Sequence, residues 1–244
     1  MRIAPAPGSR WRRSTGEPGP GSAPVIALTG VRFARPGGDF RLEVPDLRVA
    51  EGERLAVVGP SGSGKTTLLE LVAGILRPEA GQVRVAGTDL GALGEGARRR
   101  FRAGTVGFVF QDFALMDYLT ARENILYPFR VAPGLTLDAA ARDRAAALAR
   151  ACGIGGLLER RPGRLSRGEQ QRVAICRALV TRPRLVLADE ATGNLDPEAK
   201  GAVLEMLFAR ASEAGATVLA ATHDHALLPR FDRVVDVADL RAPA

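Results

Sequence analysis

With 244 residues, 46% of them hydrophobic and 25% charged, the chain carries enough apolar material for one substantial core, or for a core with a subdomain. Its 34 Lys and Arg against 27 Asp and Glu leave a charge of +7, but the arginines are scattered. Their densest runs, Arg98–Arg100 and Arg160, Arg161 and Arg164, lack the interleaved aromatics of a single-strand nucleic-acid platform, so no nucleic-acid partner is expected. No apolar run approaches the roughly 20 residues of a membrane span, and the first residues hold no uninterrupted apolar stretch of a secretory signal. Cys152 and Cys176 are too few and too far apart for a zinc site or a disulfide framework and are expected to be packed thiols of a reducing cytoplasm.

Residues 1–24, MRIAPAPGSRWRRSTGEPGPGSAP, are dense in Pro, Gly, Ser and Arg with little to bury, which predicts a disordered tail ahead of one globular domain over 25–244. From Val25 the pattern becomes that of short antiparallel strands: Val25–Val31 with Phe33, a PGGD turn at Pro36–Asp39, then Phe40, Leu42 and Val44 alternating before Leu47 and Val49. A turn at Glu51–Glu53 leads to a strand Leu55–Val58, a glycine-rich loop and a helix to about Leu76; Pro78–Gly81 turns into a strand Gln82–Ala86. A polar, Arg-rich helix is expected between about Gly91 and Arg102, followed by a strand Val106–Phe110 ending in Gln111.

From Asp112 to about Leu165 the pattern is helical, with segments Thr120 to about Tyr127, Leu137–Cys152 and Gly153–Leu158, and reads as a helical subdomain. Beyond it strands and helices alternate: helix Glu169–Val180, strand Leu185–Ala188, helix Pro197–Ala214, strand Thr217–Ala221, a short helix near His225–Arg230 and a strand Arg233–Val237. That alternation predicts an α/β fold, a parallel sheet covered on both faces, with an antiparallel β subdomain and the helical one attached.

The chemistry centres on GPSGSGKTT, that is Gly59, Pro60, Ser61, Gly62, Ser63, Gly64, Lys65, Thr66 and Thr67. A strand precedes it and a helix follows, the context that the phosphate-cradling pattern G-x-x-x-x-G-K-[ST] requires. Its glycines let backbone amides fold around a polyphosphate, and the helix beginning at Lys65 adds its unpaired N–H groups. Lysine occurs only at Lys65 and Lys200, so a compact ammonium at this one place among so many arginines marks a phosphate contact. The Thr66 hydroxyl is placed to ligate Mg²⁺.

Four further stretches bear on the same chemistry. Gln111, ending the strand VGFVF, offers an amide to Mg²⁺ or to an attacking water. In LSRGEQQR, Leu165–Arg172, Ser166 and Gly168 stand just before an expected helix and offer a hydroxyl and amides to an anion, which makes sense if they meet the γ-phosphate held by a second copy. In LVLADE, Leu185–Glu190, Asp189 ends a buried strand and can hold Mg²⁺ through water, with Glu190 next along as general base. His223 ends the apolar strand of TVLAATHD, where it can reach the γ-phosphate and orient water; a structural, hydrogen-bonded histidine is the alternative there, and His225 reads as surface.

In this order and at these separations the stretches resemble the ATP-binding-cassette (ABC) ATPase family, a P-loop NTPase with a RecA-like core, over about Val25–Leu240. GPSGSGKTT is similar to its Walker A, Gln111 to its Q-loop, LSRGEQQR to its signature, LVLADE to its Walker B, Gly193–Asp196 to its D-loop and His223 to its switch histidine. The resemblance implies ATP and Mg²⁺ as ligands, with Asp196 among the nucleotide-contacting residues. It also implies a second ATPase subunit, a homodimer by expectation, a membrane permease as partner, and a cytoplasmic place on the inner face of the membrane. DYLTARENILYP and LADEATGNLD are similar, more narrowly, to the lipoprotein-release, macrolide-export and cell-division group.

Three positions depart from the family pattern: Arg167 stands for the usual first signature glycine, Ala191 for the proline after the catalytic Glu, and Arg35 for the aromatic that stacks on adenine. A guanidinium can stack on a base, and Phe33 on the same strand is the other candidate for adenine. A soluble ABC ATPase acting on DNA or the ribosome is the alternative function, but the long coiled-coil insert or second cassette of such relatives is not in the sequence.

Overall fold

Where apolar and polar residues alternate the chain builds a half-exposed antiparallel sheet, and where the apolar run is unbroken it builds buried parallel strands. The computed structural model describes residues 12–13, 24–35, 37, 40–192 and 197–240. It divides into two compact units, residues 1–98 with 217–244 and residues 99–216.

In the first unit, β1 is Arg12–Arg13, β2 Pro24–Ala34, β3 Arg41–Ala50, β4 Arg54–Val58, α1 Lys65–Val72, β5 Ala80–Val85 and β6 Thr88–Asp89. Strands β3-β2-β5-β6 form the antiparallel sheet, with Ile26 opposite Val49 and Val31 opposite Val44. Ile26, Leu28, Val31, Leu42, Val44, Leu47 and Val49 are wholly buried on its inner face. The PGGD turn lies mainly outside the described residues, but its hairpin is closed by the Arg35 amide donating to the Phe40 carbonyl at 3.1 Å. Helix α1 stops at Val72, short of the expected Leu76, because Gly74 takes a left-handed φ of +66°. The amides of Gly74 and Ile75 then turn back to the carbonyls of Leu71 and Glu70, a helix-ending arrangement.

Two more strands complete this unit, β9 at Thr217–Ala221 and β10 at Arg233–Asp236. Strand β4 runs parallel to both, with Val57 level with Ala221 on one side and with Val235 on the other. Arg12–Arg13, inside the stretch read as a disordered tail, pairs in parallel with Arg233–Val234, so that dipeptide extends the sheet instead. Trp11 lies outside the described residues. The final strand ends at Asp236, whose carboxylate accepts the Ala238 amide at 2.9 Å and starts a one-turn helix, Val237–Leu240, that the sequence pattern did not announce. Arg233, nearly buried, fastens β10 to the turn before β4 by donating to both Glu53 carboxylate oxygens, at 2.6 and 3.3 Å, and to the Arg48 carbonyl. The strand that carries the glycine loop is thereby held at its base.

Helix α2, Glu95–Thr105, spans the division between the units. The second unit continues with β7 (Val106–Val109), α3 (Ala121–Leu126), α4 (Pro128–Val131), α5 (Ala139–Ala151), α6 (Arg167–Leu179), β8 (Leu185–Asp189) and α7 (Pro197–Glu213). Strands β7 and β8 are parallel, Val106 beside Leu185 and Val109 beside Ala188. The helical segments pack as Ala121 and Ile125 of α3, Ala145 and Ala149 of α5, and Val173, Cys176 and Val180 at the next element, so their core extends past Leu165 into α6. Both cysteines are buried there as free thiols. Asn124 is fully buried and satisfied: its amide group donates to the carbonyls of Met116, Leu119 and Thr120 and accepts the Met116 amide, pinning the loop that enters α3.

Candidate nucleotide site

The glycine loop leaves β4 at Gly59 and re-enters helix at Lys65. Gly59, Gly62 and Gly64 hold φ of +153°, +74° and +106°, angles that turn successive amides toward one concavity. At Gly64 a side chain is excluded twice over, since a Cβ there would also lie 2.8 Å from Cζ of Phe40. Lys65 is 7% exposed, and its Nζ donates to the carbonyls of Gly59 at 2.9 Å and Pro60 at 3.1 Å. The ammonium therefore lies curled over the loop, where a polyphosphate would replace those two carbonyls with stronger, charged acceptors. Ser61 and Thr66 are exposed beside it, and Thr67 is buried.

Parallel pairing brings His223 to the same end of this unit. The Thr222 amide donates to the Val57 carbonyl at 3.0 Å, so the exposed His223 stands one residue beyond the strand that flanks β4 where the loop departs. Phe33 turns inward at 8% exposure while Arg35 is exposed, so of the two adenine candidates only Arg35 offers its side chain outward. Phe40, by its alternation only a strand residue, is the aromatic lying against the loop. Its signal was its place just after the hairpin turn, before the alternation that buries Leu42.

In the second unit the parallel pairing of β7 and β8 sets Gln111 two residues beyond the carboxyl end of β7 and Asp189 at that of β8, with Glu190 just after it. Asp189 is 8% exposed and Gln111 exposed. Glu190 has a φ of +44°, a left-handed conformation that costs a side-chain-bearing residue on the order of 1–3 kcal/mol and tends to mark functional positions. Ala191, in the place of the proline, is buried. Asp196, with Gly193, lies outside the described residues.

The LSRGE segment differs from its expected form. The helix starts at Arg167 and not at Glu169, with Ser166 as its N-cap. The Ser166 hydroxyl accepts the Glu169 amide at 3.3 Å, and a Glu169 carboxylate oxygen accepts the Ser166 amide at 2.6 Å. This reciprocal capping box makes Gly168 part of the first helical turn and engages the Ser166 hydroxyl within its own helix. The Ser166 amide, and then its hydroxyl, hold the Glu169 carboxyl below the usual range. The signal was present in the spacing of Ser166 and Glu169.

In the first unit a glycine cradle, a lysine poised over it and a hydroxyl beside it suit a polyphosphate; the second unit, taken by itself, holds a buried carboxylate and an amide at the ends of paired strands. Among the described residues no cluster of three or more His, Cys, Asp or Glu could hold a metal ion. A magnesium ion needs none, because it is held by one or two protein groups together with phosphates and water.

Residues 42–193 match the family described as ABC transporter. The chain is 47% identical over 231 residues, 92% of its own length and 95% of the other, to the lipoprotein-releasing system ATP-binding protein LolD of Anaeromyxobacter dehalogenans. It is 44% identical to LolD 2 of Caulobacter vibrioides, with 89% and 96% covered. Among solved structures it resembles the ATP-binding cassette MJ0796, seen as a post-hydrolysis dimer bound to ADP and Pi. The TM-score is 0.77 at 29% identity, with 90% of this chain and 97% of that one covered.

Proposed function

This chain belongs to the ABC transporter family as one of its ATP-hydrolysing subunits, and we propose that the transport it drives is the release of lipoproteins from a membrane. The observation that carries the substrate class is the likeness, over almost the whole length of both chains, to ATP-binding proteins of lipoprotein-releasing systems. The partner is then a membrane permease, and the chain works on the cytoplasmic face. No helix among the described residues is long and apolar enough to cross a membrane. Of the four exposed large hydrophobic side chains among the described residues, Ile75 lies elsewhere, while Phe110 stands beside Gln111 and Tyr118 and Val131 lie within the helical stretch 112–165. That is the stretch we assign to the permease.

Two copies face head to tail, the glycine loop of each opposite Ser166 and Gly168 of the other, and their closure is the stroke. Lys65, the amides of Gly59–Thr67 and the Thr66 hydroxyl bind and orient the phosphates. Asp189 and Gln111 are the further groups toward Mg²⁺, and Arg35 the group toward adenine. Bound Mg²⁺ supplies neutralisation of the charge that develops on the transferred phosphoryl group. Glu190 takes the proton from the attacking water, and His223 orients that water. Hydrolysis releases the clamp.

The test is to express tagged Glu190→Gln chain, trap it with ATP, isolate it from detergent-solubilised membranes and identify what accompanies it. Recovery of a permease together with lipoproteins supports the proposal. A permease that brings another cargo overturns the substrate class, and recovery with ribosomes or DNA and no permease overturns the transport role.

A further inference from the structure

Two arginines of α6 grip the turn that follows Gln111, and the roles assigned above use neither. Arg177, 9% exposed, donates from one guanidinium nitrogen to the Ala114 carbonyl and from another to the Phe113 carbonyl, each at 2.5 Å. Phe113 and Ala114 hold φ of +64° and +46°, the left-handed region that residues with side chains enter only when their surroundings enforce it. Two successive left-handed residues bring both carbonyls within reach of one planar fork, which satisfies them together. Arg177 thus secures the backbone of the turn.

The side chain of the same turn is held from the beginning of the helix. Phe113 is buried at 2% exposure, and the Arg167 guanidinium carbon lies 5.7 Å from the centre of its ring, within the range of a cation–π contact. Arg167 sits between Ser166 and Gly168, at the position where the family pattern has glycine. A glycine there would keep the capping box of α6 and lose the contact with the Phe113 ring.

We propose that Arg167 is a positioning residue: by stacking on Phe113, with Arg177 holding the Phe113 and Ala114 carbonyls, it fixes the Ser166–Gly168 segment to the turn after Gln111 so that the two move as one body. This rests on the reading of Ser166, Gly168 and Gln111 as nucleotide-facing groups. The departure at Arg167 is then a gain in preorganisation, since less ordering remains to be done when two copies close.

The first measurement is independent of that reading. In amide hydrogen exchange of the full chain without nucleotide, Arg167→Gly accelerates exchange of the segment 112–117, and Arg167→Lys, which keeps a cation, restores part of the protection. Unchanged exchange in Arg167→Gly overturns the proposal. The second measurement is the ATP concentration giving half-maximal dimer in a Glu190→Gln background. Arg167→Gly and Phe113→Leu, the latter chosen to keep the buried volume, each raise it about two- to fivefold, the effect of one exposed cation–π contact. The double variant is no worse than either single one. Multiplying effects, or loss with Arg167→Gly and none with Phe113→Leu, would show Arg167 acting elsewhere, for instance on the partner's nucleotide, and would overturn the tie to Phe113. Absence of ATP-driven dimer in Glu190→Gln itself would fail the proposed function while leaving the exchange result to stand or fall alone.

Discussion

Lys65 and Glu190 separate binding from chemistry at the scale of single residues. The Lys65 ammonium already rests on two carbonyls of its own loop, so its removal withdraws a charged donor from the cradle without disturbing a packed core. Lys65→Ala is expected to weaken nucleotide binding about ten- to a hundredfold, the effect of one hydrogen bond to a charged group. Titration with a fluorescent ATP analogue measures this, and an unchanged affinity would count against the loop as a phosphate site. Glu190→Gln keeps the size and much of the polarity of the side chain but cannot take a proton. Its turnover is expected to fall on the order of 10²- to 10⁴-fold while ATP binding persists, as steady-state phosphate release alongside the same titration would register. Near-normal hydrolysis would remove Glu190 from the role of base.

Among the elements, β7 and α6 approach so closely that Gly107 has no room for a side chain. A Cβ built there lies 2.1 Å from the Ala178 carbonyl oxygen and 3.1 Å from Pro183 Cγ. The obstruction is backbone, which cannot swing aside, so Gly107→Ala must separate a strand from a helix. Overpacking of this kind costs about 3 kcal/mol or more, which for a chain of this size lowers the unfolding midpoint by roughly 6–12 °C. A thermal melt within a degree or two of the parent would mean that strand and helix are not in this contact. Gln111 follows β7 and Ser166 precedes α6, so the same contact bears on the position of both.

Across the whole molecule the described acidic groups with resolved shifts all titrate low. Asp89 is held down by the Gln82 amide, Glu123 by the Thr120 amide and Glu169 by the Ser166 amide; for Asp232 burial pushes upward, but the hydrogen bonds of Arg54 outweigh it. Each folded carboxyl binds its proton at lower pH than the unfolded one does. The stability they contribute is therefore fully present above the unfolded values, about 3.9 to 4.3, and is lost as pH falls through the depressed folded ones. The melting midpoint is expected to be level above about pH 5 and to decline below about pH 4, with a shallower decline in Glu123→Gln. None of the four groups is fully buried, so solvent screens them, and the slope is expected to be modest and to lessen with salt. A midpoint that rises on acidification would contradict these directions.

Elements whose causes are local can be read along the chain. Unbroken apolar runs marked β4, β8 and β9, and glycines marked the loop before α1; the caps of Ser166 with Glu169 and Thr120 with Glu123 are equally local, yet the apolar pattern alone starts α6 at Glu169, two residues late. The motif order carried the family, because each motif is a short string whose chemistry depends on its own spacing. Tertiary structure decided whatever depends on residues distant in the chain. Phe40 lies against Gly64 because the β2–β3 hairpin folds back on the loop, and Arg12–Arg13 becomes strand because β10 offers it an edge. The helical core runs past Leu165 because α6 supplies the face that α3 and α5 cover. Arg167, a departure from pattern when read along the chain, acquires a partner only when Phe113, 54 residues earlier by its number, is buried beneath it. A side chain's neighbours within three or four residues are fixed by the geometry of helix and turn, but its neighbours across the fold are chosen by burial, and burial exists only once the chain has closed on itself.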